Sequence, residues 1–387
     1  MAHALPPPLD ARTARSFARL TLAQRVPPIV ASVVEAVAIP AGARARLEEA
    51  VARPLELHVR PLQLPPEEAP RWEEFLAAYQ GQRLAAVPFF LWEAYLYTWL
   101  LAETGYFETG VDPFAAAKRQ DFASSLQSMD QASRTALQAD AQPARRVLQA
   151  SVVRSLLANL ADSSYPEIQA GGGATATLYA EQWDTVEGLL LAGPRVRILT
   201  DNAMSELWYD LLLARALARA APAVGVELVL KRHPMFVSDA TPADLVALWE
   251  LIEGAPGAVS LARAAAEVRS LIESGRIDVR AWAELNAPWH LSAPAFRPFF
   301  QPDVTFVLKG DVNFRRALED RAWPATTPLA RACRAPLPRT LFLRVLKSEC
   351  VAGLPADVVE RVERADPEWR INGKHATVQV FRPHTVE

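Results

Sequence analysis

Residues 196–212 read VRILTDNAMSELWYDLL. The strand-like run 196–199, apolar but for Arg197, has the length and β-branching of a buried strand, and the amphipathic run from Met204 has helical spacing. Between them Thr200, Asp201 and Asn202 make the turn, so a carboxylate and a carboxamide stand side by side where the chain leaves a strand. The same alternation continues downstream. Strand-like runs lie at 196–199, 226–230, 304–308, 341–346 and 378–381, with helical stretches at 204–220, 243–252 and 261–273. Strands separated by helices imply right-handed crossovers and a mainly parallel sheet covered on both faces, hence an α/β fold.

The first 185 residues have a different texture. Apolar residues recur at three- and four-residue spacing over 28–37, 72–79, 90–103 and 144–160, and prolines break the earliest part into short elements. The expected organisation is a mostly helical N-terminal domain over 1–185 and an α/β domain over 186–387. Gly171-Gly172-Gly173 lacks the Gly-Lys-Ser/Thr of a phosphate loop and reads as a flexible connection.

The 387 residues carry a net charge of −3, which gives no preference for nucleic acid or an acidic membrane, and 51% of them are hydrophobic, enough for a substantial core. Two distant cysteines, Cys333 and Cys350, make neither a zinc motif nor a disulfide framework. No basic-then-apolar leader opens the chain, and no apolar run reaches the roughly 18 residues of a membrane span. The expectation is a soluble, cytoplasmic protein with no nucleic-acid or membrane partner. Lysine and arginine total 41, yet only Lys118, Lys231, Lys309, Lys347 and Lys374 are lysines, which draws attention to where each one stands.

In parallel sheets, ligands bind beyond the carboxyl ends of the strands. Beyond the first expected strand lie Asp201 and Asn202; beyond the second, Lys231 and then Ser238-Asp239. The third leads into Lys309-Gly310-Asp311, then Asn313 and Arg315-Arg316, and the fourth into Lys347. Each has a local alternative. Asp201 or Asn202 is the residue type that caps a helix, Lys309 and Lys347 suit sheet-edge ion pairs, and Arg315-Arg316 suits a solvated helix face. Asp239 is less easily explained that way, because Thr241-Pro242-Ala243-Asp244 is a complete helix start of its own. Convergence on one sheet edge favours a shared role. Carboxylate and carboxamide oxygens are hard ligands suited to Mg²⁺ or Mn²⁺, and lysine and arginine bind phosphate oxygens. Together they describe a site for a divalent cation and a phosphorylated small molecule.

Asp201-Asn202-Ala203 with Glu206 and Asp210, the run 233–241 (HPMFVSDAT) and the run 309–316 (KGDVNFRR) resemble, in order and spacing, the damage-control phosphatase family, also catalogued as domain of unknown function 89. Trp92-Glu93-Ala94-Tyr95-Leu96-Tyr97, Asp112-Pro113-Phe114 with Lys118, and Asn159 with Asp162 resemble its helical segments, so the likeness runs from about Ser16 to about Gly353. The branch it resembles contains sugar-phosphate phosphatases and a reported protein-glutamate O-methyltransferase.

The resemblance implies a helical domain on a Rossmann-like α/β/α sandwich, and a metal-dependent phosphatase (a phosphoric monoester hydrolase) acting on small phosphorylated metabolites such as fructose 1-phosphate or fructose 6-phosphate. It implies that Asp201, Asn202 and Asp239 hold the metal, Mn²⁺ or Mg²⁺ with Co²⁺ or Ni²⁺ as further candidates. It implies that Glu206, Lys309, Asp311, Asn313, Arg315 and Lys347 contact substrate, with Asp201, Asp239 and Lys347 catalytic. A methyltransferase using S-adenosylmethionine ranks second, since no glycine-rich loop for that cofactor is present; a non-catalytic phosphometabolite binder is the other alternative. Where the branch carries Arg-Thr-x-Lys this chain has Arg344-Val345-Leu346-Lys347, and Phe314 stands where tyrosine is common.

Overall fold

The computed structural model describes residues 4–139, 142–158 and 177–383. Asn159, Asp162 and the Gly171–Gly173 run lie outside them. The sheet has seven strands: β1 (Thr177–Ala180), β2 (Arg195–Leu199), β3 (Gly225–Lys231), β4 (Ile277–Trp282), β5 (Val304–Lys309), β6 (Thr340–Val345) and β7 (His375–Phe381). Their spatial order is β1-β7-β6-β5-β2-β3-β4. All neighbours are parallel except β6 and β7. This is the α/β architecture with a mostly parallel sheet and a helical N-terminal region that the alternating texture implies.

The strand order reverses between β2 and β5: the chain runs outward from β2 through β3 to β4, and outward from β5 through β6 to β7. Such a switch point leaves a crevice at the carboxyl ends of the two central strands. Here it opens between the turn after β2 and the turn after β5.

The central strands are mostly apolar because both faces are buried, and the buried charges of Arg197 on β2 and Glu227 on β3 pair with each other at 2.9 Å. Leu199, Val229, Leu308 and Phe342 face a core shared with the N-terminal helices, among them the helix Phe89–Glu103. Their neighbours Ile198, Leu228, Val307 and Leu341 face a second core with the helices Ala115–Gln138, Ala144–Leu157, Met204–Ala220 and Val259–Glu273. Both cores therefore draw on residues before and after position 185.

Two strands lacked the aliphatic signal. β4 alternates, Ile277-Asp278-Val279-Arg280-Ala281-Trp282, because it is an edge strand with part of its surface in water. β1 is a four-residue edge strand. The 24-residue helix Ala115–Gln138 was missed because its apolar stripe is thin, with Phe122, Met129 and Ala132 among the few buried positions. No helix among the described residues is long and apolar enough to cross a membrane.

Candidate functional site

The β2–β5 register aligns Leu199 with Leu308, so the two chains leave the sheet side by side with Asp201 beside Gly310. A Cβ built on Gly310 would lie 1.8 Å from Asp201 Oδ2, and Gly310 has φ +80°. Only glycine gives both that conformation and that room. The loop after β3 folds back over the same turn. Ala240 N donates to Asp201 O at 3.0 Å, Ala203 N donates to Ser238 O at 2.6 Å, and Asn202 bridges Asp239.

Neither Asp201 nor Asn202 caps the helix that follows. Its N-cap is Ala203, with no side-chain bond, and Met204 takes φ 49°, a left-handed conformation costly for a side chain of that size. The free N–H of Ser205 is met from another helix, by Asp121 Oδ2 at 3.0 Å. Asn202 is held by both ends of its amide: Ser238 Oγ donates to Oδ1 at 2.7 Å, and Nδ2 donates to Glu206 Oε2 at 2.9 Å. Asp239 Oδ2 accepts from Phe236 N at 3.0 Å, and Oδ1 pairs with Lys231 Nζ at 2.9 Å. The following helix is capped by Thr241 and Asp244 in a full capping box, so Asp239 has no capping duty.

Asp201, Asn202 and Asp239 border one small pocket together with Asp311, Arg315 and Lys347. Among the described residues no group of three or more His, Cys, Asp or Glu side chains stands ready to hold a metal. The set here is instead two carboxylates and a carboxamide, hard oxygen donors, with Gly310 keeping the Asp201 carboxylate clear. That donor chemistry fits a hard divalent cation.

Asp311 is anchored by a residue that attracted notice only as part of the altered Arg-x-x-Lys stretch. Arg344 Nε donates to Asp311 Oδ1 at 2.7 Å, while its other nitrogens reach Cys350 O at 2.6 Å and Ser348 Oγ at 3.0 Å. The guanidinium lies 4.2 Å from the Phe314 ring centre. Phe314 thus forms a platform for Arg344, a role its apolar ring suits.

The remaining expected contacts stand behind the pocket. Lys309 Nζ, fully buried, pairs with Glu206 Oε1 at 2.9 Å and Asp210 Oδ1 at 2.8 Å, and donates to Ser155 O at 2.6 Å. Burial alone would lower its pKa, but the two carboxylates hold it above the ordinary lysine range, and burial pushes Asp210 up to about 6. Asn313 Nδ2 donates to Thr200 O at 3.1 Å and Lys309 O at 2.8 Å, tying β2 to β5. Glu206, Lys309 and Asn313 therefore brace the strand ends rather than line the pocket.

Arg315 and Arg316 are buried, not solvated. Arg315 borders the pocket with its fork engaged: Nε and Nη2 donate to Asp320 at 2.8 and 2.9 Å, and Nη1 to Glu93 Oε2 at 2.7 Å. Burial outweighs the arginine at Glu93 and raises its pKa. Three pocket residues from the helical region, Arg25, Glu93 and Tyr97, were not among the expected site residues. Glu93 and Tyr97 lay in a segment noted for its family likeness; nothing in the local pattern marked Arg25.

Residues 21–362 match the family model described as the damage-control phosphatase ARMT1-like domain. Damage-control phosphatase ARMT1 of Danio rerio is 31% identical over 221 residues, 54% of this chain and 47% of that protein. The Mus musculus and Homo sapiens proteins of the same name are each 30% identical over 200 residues, 49% of this chain and 44% of theirs. The chain aligns with less than half the length of these relatives. A solved DUF89 family protein from Pyrococcus horikoshii aligns over 94% of this chain and 96% of its own, at 16% identity and a TM-score of 0.45.

Proposed function

The chain belongs to the ARMT1-like damage-control phosphatase family, and on that premise we propose that it is a metal-dependent phosphatase of small phosphorylated metabolites, sugar phosphates such as fructose 1-phosphate and fructose 6-phosphate among them. The observation that carries the reading is the meeting of Asp201, Asn202 and Asp239 with Lys347 and Asp311 around one pocket at the switch point. A divalent ion there, Mn²⁺ or Mg²⁺ with Co²⁺ or Ni²⁺ also compatible, would supply Lewis-acid polarisation of the phosphoryl group.

The protein's own part is positioning and charge. Asp201, Asn202 and Asp239 present the oxygens, and the Ser238 and Glu206 bonds fix which way the Asn202 amide points. Lys231 neutralises part of the Asp239 charge from behind. Lys347, a compact ammonium on the pocket wall, binds phosphate oxygens and steadies the charge that shifts on them during transfer. Arg344 holds Asp311 in place for the substrate. A cytosolic location is part of the same reading.

The experiment is a phosphate-release assay of metal-stripped protein on a panel of phosphorylated metabolites with Mg²⁺, Mn²⁺, Co²⁺ or Ni²⁺ added back. Release from sugar phosphates that depends on added metal is expected; no release with any pairing would defeat the reading.

A further inference from the structure

We propose that Lys118 and Asp121 are positioning residues for the metal site, through which one helix of the N-terminal region sets the spacing between the two halves of the ligand set. The inference rests on the metal-binding part of the reading above and does not depend on the substrate.

The three oxygen donors come from two separate stretches of chain. Asp201 and Asn202 lead into the helix Met204–Ala220, and Asp239 leads into the helix Pro242–Glu253. The helix Ala115–Gln138 reaches the start of both. Lys118 and Asp121 stand three residues apart on it, so they share a face. Asp121 Oδ2 accepts from Ser205 N at 3.0 Å, at the start of the first helix. Lys118 Nζ donates to Asp244 Oδ2 at 2.8 Å, and Asp244 is the partner of Thr241 in the capping box of the second. Lys118 Nζ also donates to Asp112 Oδ2 at 2.9 Å, and Asp112 Oδ1 accepts from Phe114 N at 2.8 Å, just ahead of the helix that carries the lysine.

Both contacts fall close to the donors. Ser205 follows Asn202 by three residues, and Thr241 follows Asp239 by two. The first helix start needs an outside hold, since Ala203 makes no side-chain cap and Met204 is left-handed at φ 49°. Such a conformation persists only where its surroundings fix it. Packing alone does not call for a lysine here. Phe122 and Met129 already bury the apolar side of the helix, and a buried ammonium between two carboxylates carries a desolvation cost that an apolar residue does not. What the charged bonds add is direction. They fix where the two helix starts lie relative to each other, and with them the spacing of the oxygens, to which a hard cation is sensitive.

The test follows Mn²⁺ binding by calorimetry on metal-stripped full-length wild type, Asp121→Ala, Asp121→Asn, Lys118→Met and Ser133→Ala, with melting temperatures alongside. Ser133→Ala is the packing control. It removes the bond from Trp208 Nε1 at 3.1 Å, which joins the helices 115–138 and 204–220 without touching a helix start. Losing a group that orients a metal's ligands costs about 10- to 100-fold in affinity, so Asp121→Ala and Lys118→Met should each weaken Mn²⁺ binding about 10-fold. Asp121→Asn keeps an oxygen for Ser205 N and should recover most of the loss, and Ser133→Ala should bind as wild type does. Wild-type affinity in Asp121→Ala would overturn the inference, as would an equal loss in Ser133→Ala at a matched fall in melting temperature. Should Lys118→Met not fold, the two Asp121 variants decide alone. A wild type that binds no Mn²⁺ overturns the metal site and this inference together. The expected pattern in a protein that releases no phosphate from any ester supports the inference and defeats only the phosphatase reading.

Discussion

Gly310 and Asp201 occupy adjoining strand ends so closely that a methyl group on the first would overlap the carboxylate of the second, 1.8 Å from Oδ2. Gly310→Ala adds that methyl at a φ of +80° and must push the Asp201 side chain aside. A loss of about 1–3 kcal/mol in urea unfolding is expected from the backbone strain. Displacing a group at the reacting centre by about 1 Å should also cost about 10²-fold in kcat/KM. A Gly310→Ala protein with wild-type kinetics would mean that the Asp201 carboxylate is not used.

Lys309 separates bracing from substrate contact. With Glu206 and Asp210 both buried against it, Lys309→Met leaves two carboxylates without their cation. Removing one partner of a buried pair typically costs about 3–5 kcal/mol. Adding Asp210→Asn should recover part of this, and a double-mutant cycle on unfolding free energies reads the coupling. If Lys309→Met instead raised KM with stability unchanged, Lys309 would reach the substrate and its placement behind the pocket would be wrong.

The sequence made the sheet legible because each central strand is buried on both faces and so is mostly apolar, as in 196–199 and 304–308, where Arg197 and Thr305 are the exceptions. It made the candidate oxygen ligands legible because topology alone sends Asp201, Asn202 and Asp239 to one edge. What it hid was direction. Lys309 follows β5 as Asp201 follows β2, yet its side chain points under the sheet edge, and spacing does not distinguish the two. Arg25 was invisible for a related reason: its helix carries a π-turn, which breaks the 3.6-residue period by which a sequence reports which face a side chain occupies.

His290 gives a pH test of the fold. Its ring lies 5.1 Å from the Phe90 ring, and its Nδ1 is shielded with no hydrogen-bond partner. Burial holds its pKa down at about 4, outweighing the pull of Asp320 and Glu319, with Arg316 and Arg321 adding to the depression. The folded value lies below the ordinary 6.5. Its contribution is therefore present above pH 6.5 and lost as pH falls through about 4. Since His290 is only half-buried, the loss should be about 1–3 kcal/mol. Asp210, raised by burial to about 6, acts with the opposite sign, losing its contribution as pH rises through that value. Comparing His290→Phe with wild type cancels the Asp210 effect. The variant should lose less stability between pH 7 and 4.5, and parallel curves would show that folding leaves the His290 pKa unshifted.

The central claim is that the oxygens of Asp201, Asn202 and Asp239 hold the ion on which phosphate release depends. The direct measurement is Mn²⁺ titration of metal-stripped wild type and Asp201→Asn, following heat of binding and phosphate release from a sugar phosphate in the same samples. Asn keeps the size of the side chain and removes its charge. Wild type should be silent without metal and active with it. Asp201→Asn should bind Mn²⁺ more weakly and release phosphate about 10²-fold more slowly or worse, with an unchanged melting temperature. Full activity in metal-stripped wild type, or wild-type Mn²⁺ affinity and rate in Asp201→Asn, would contradict the account.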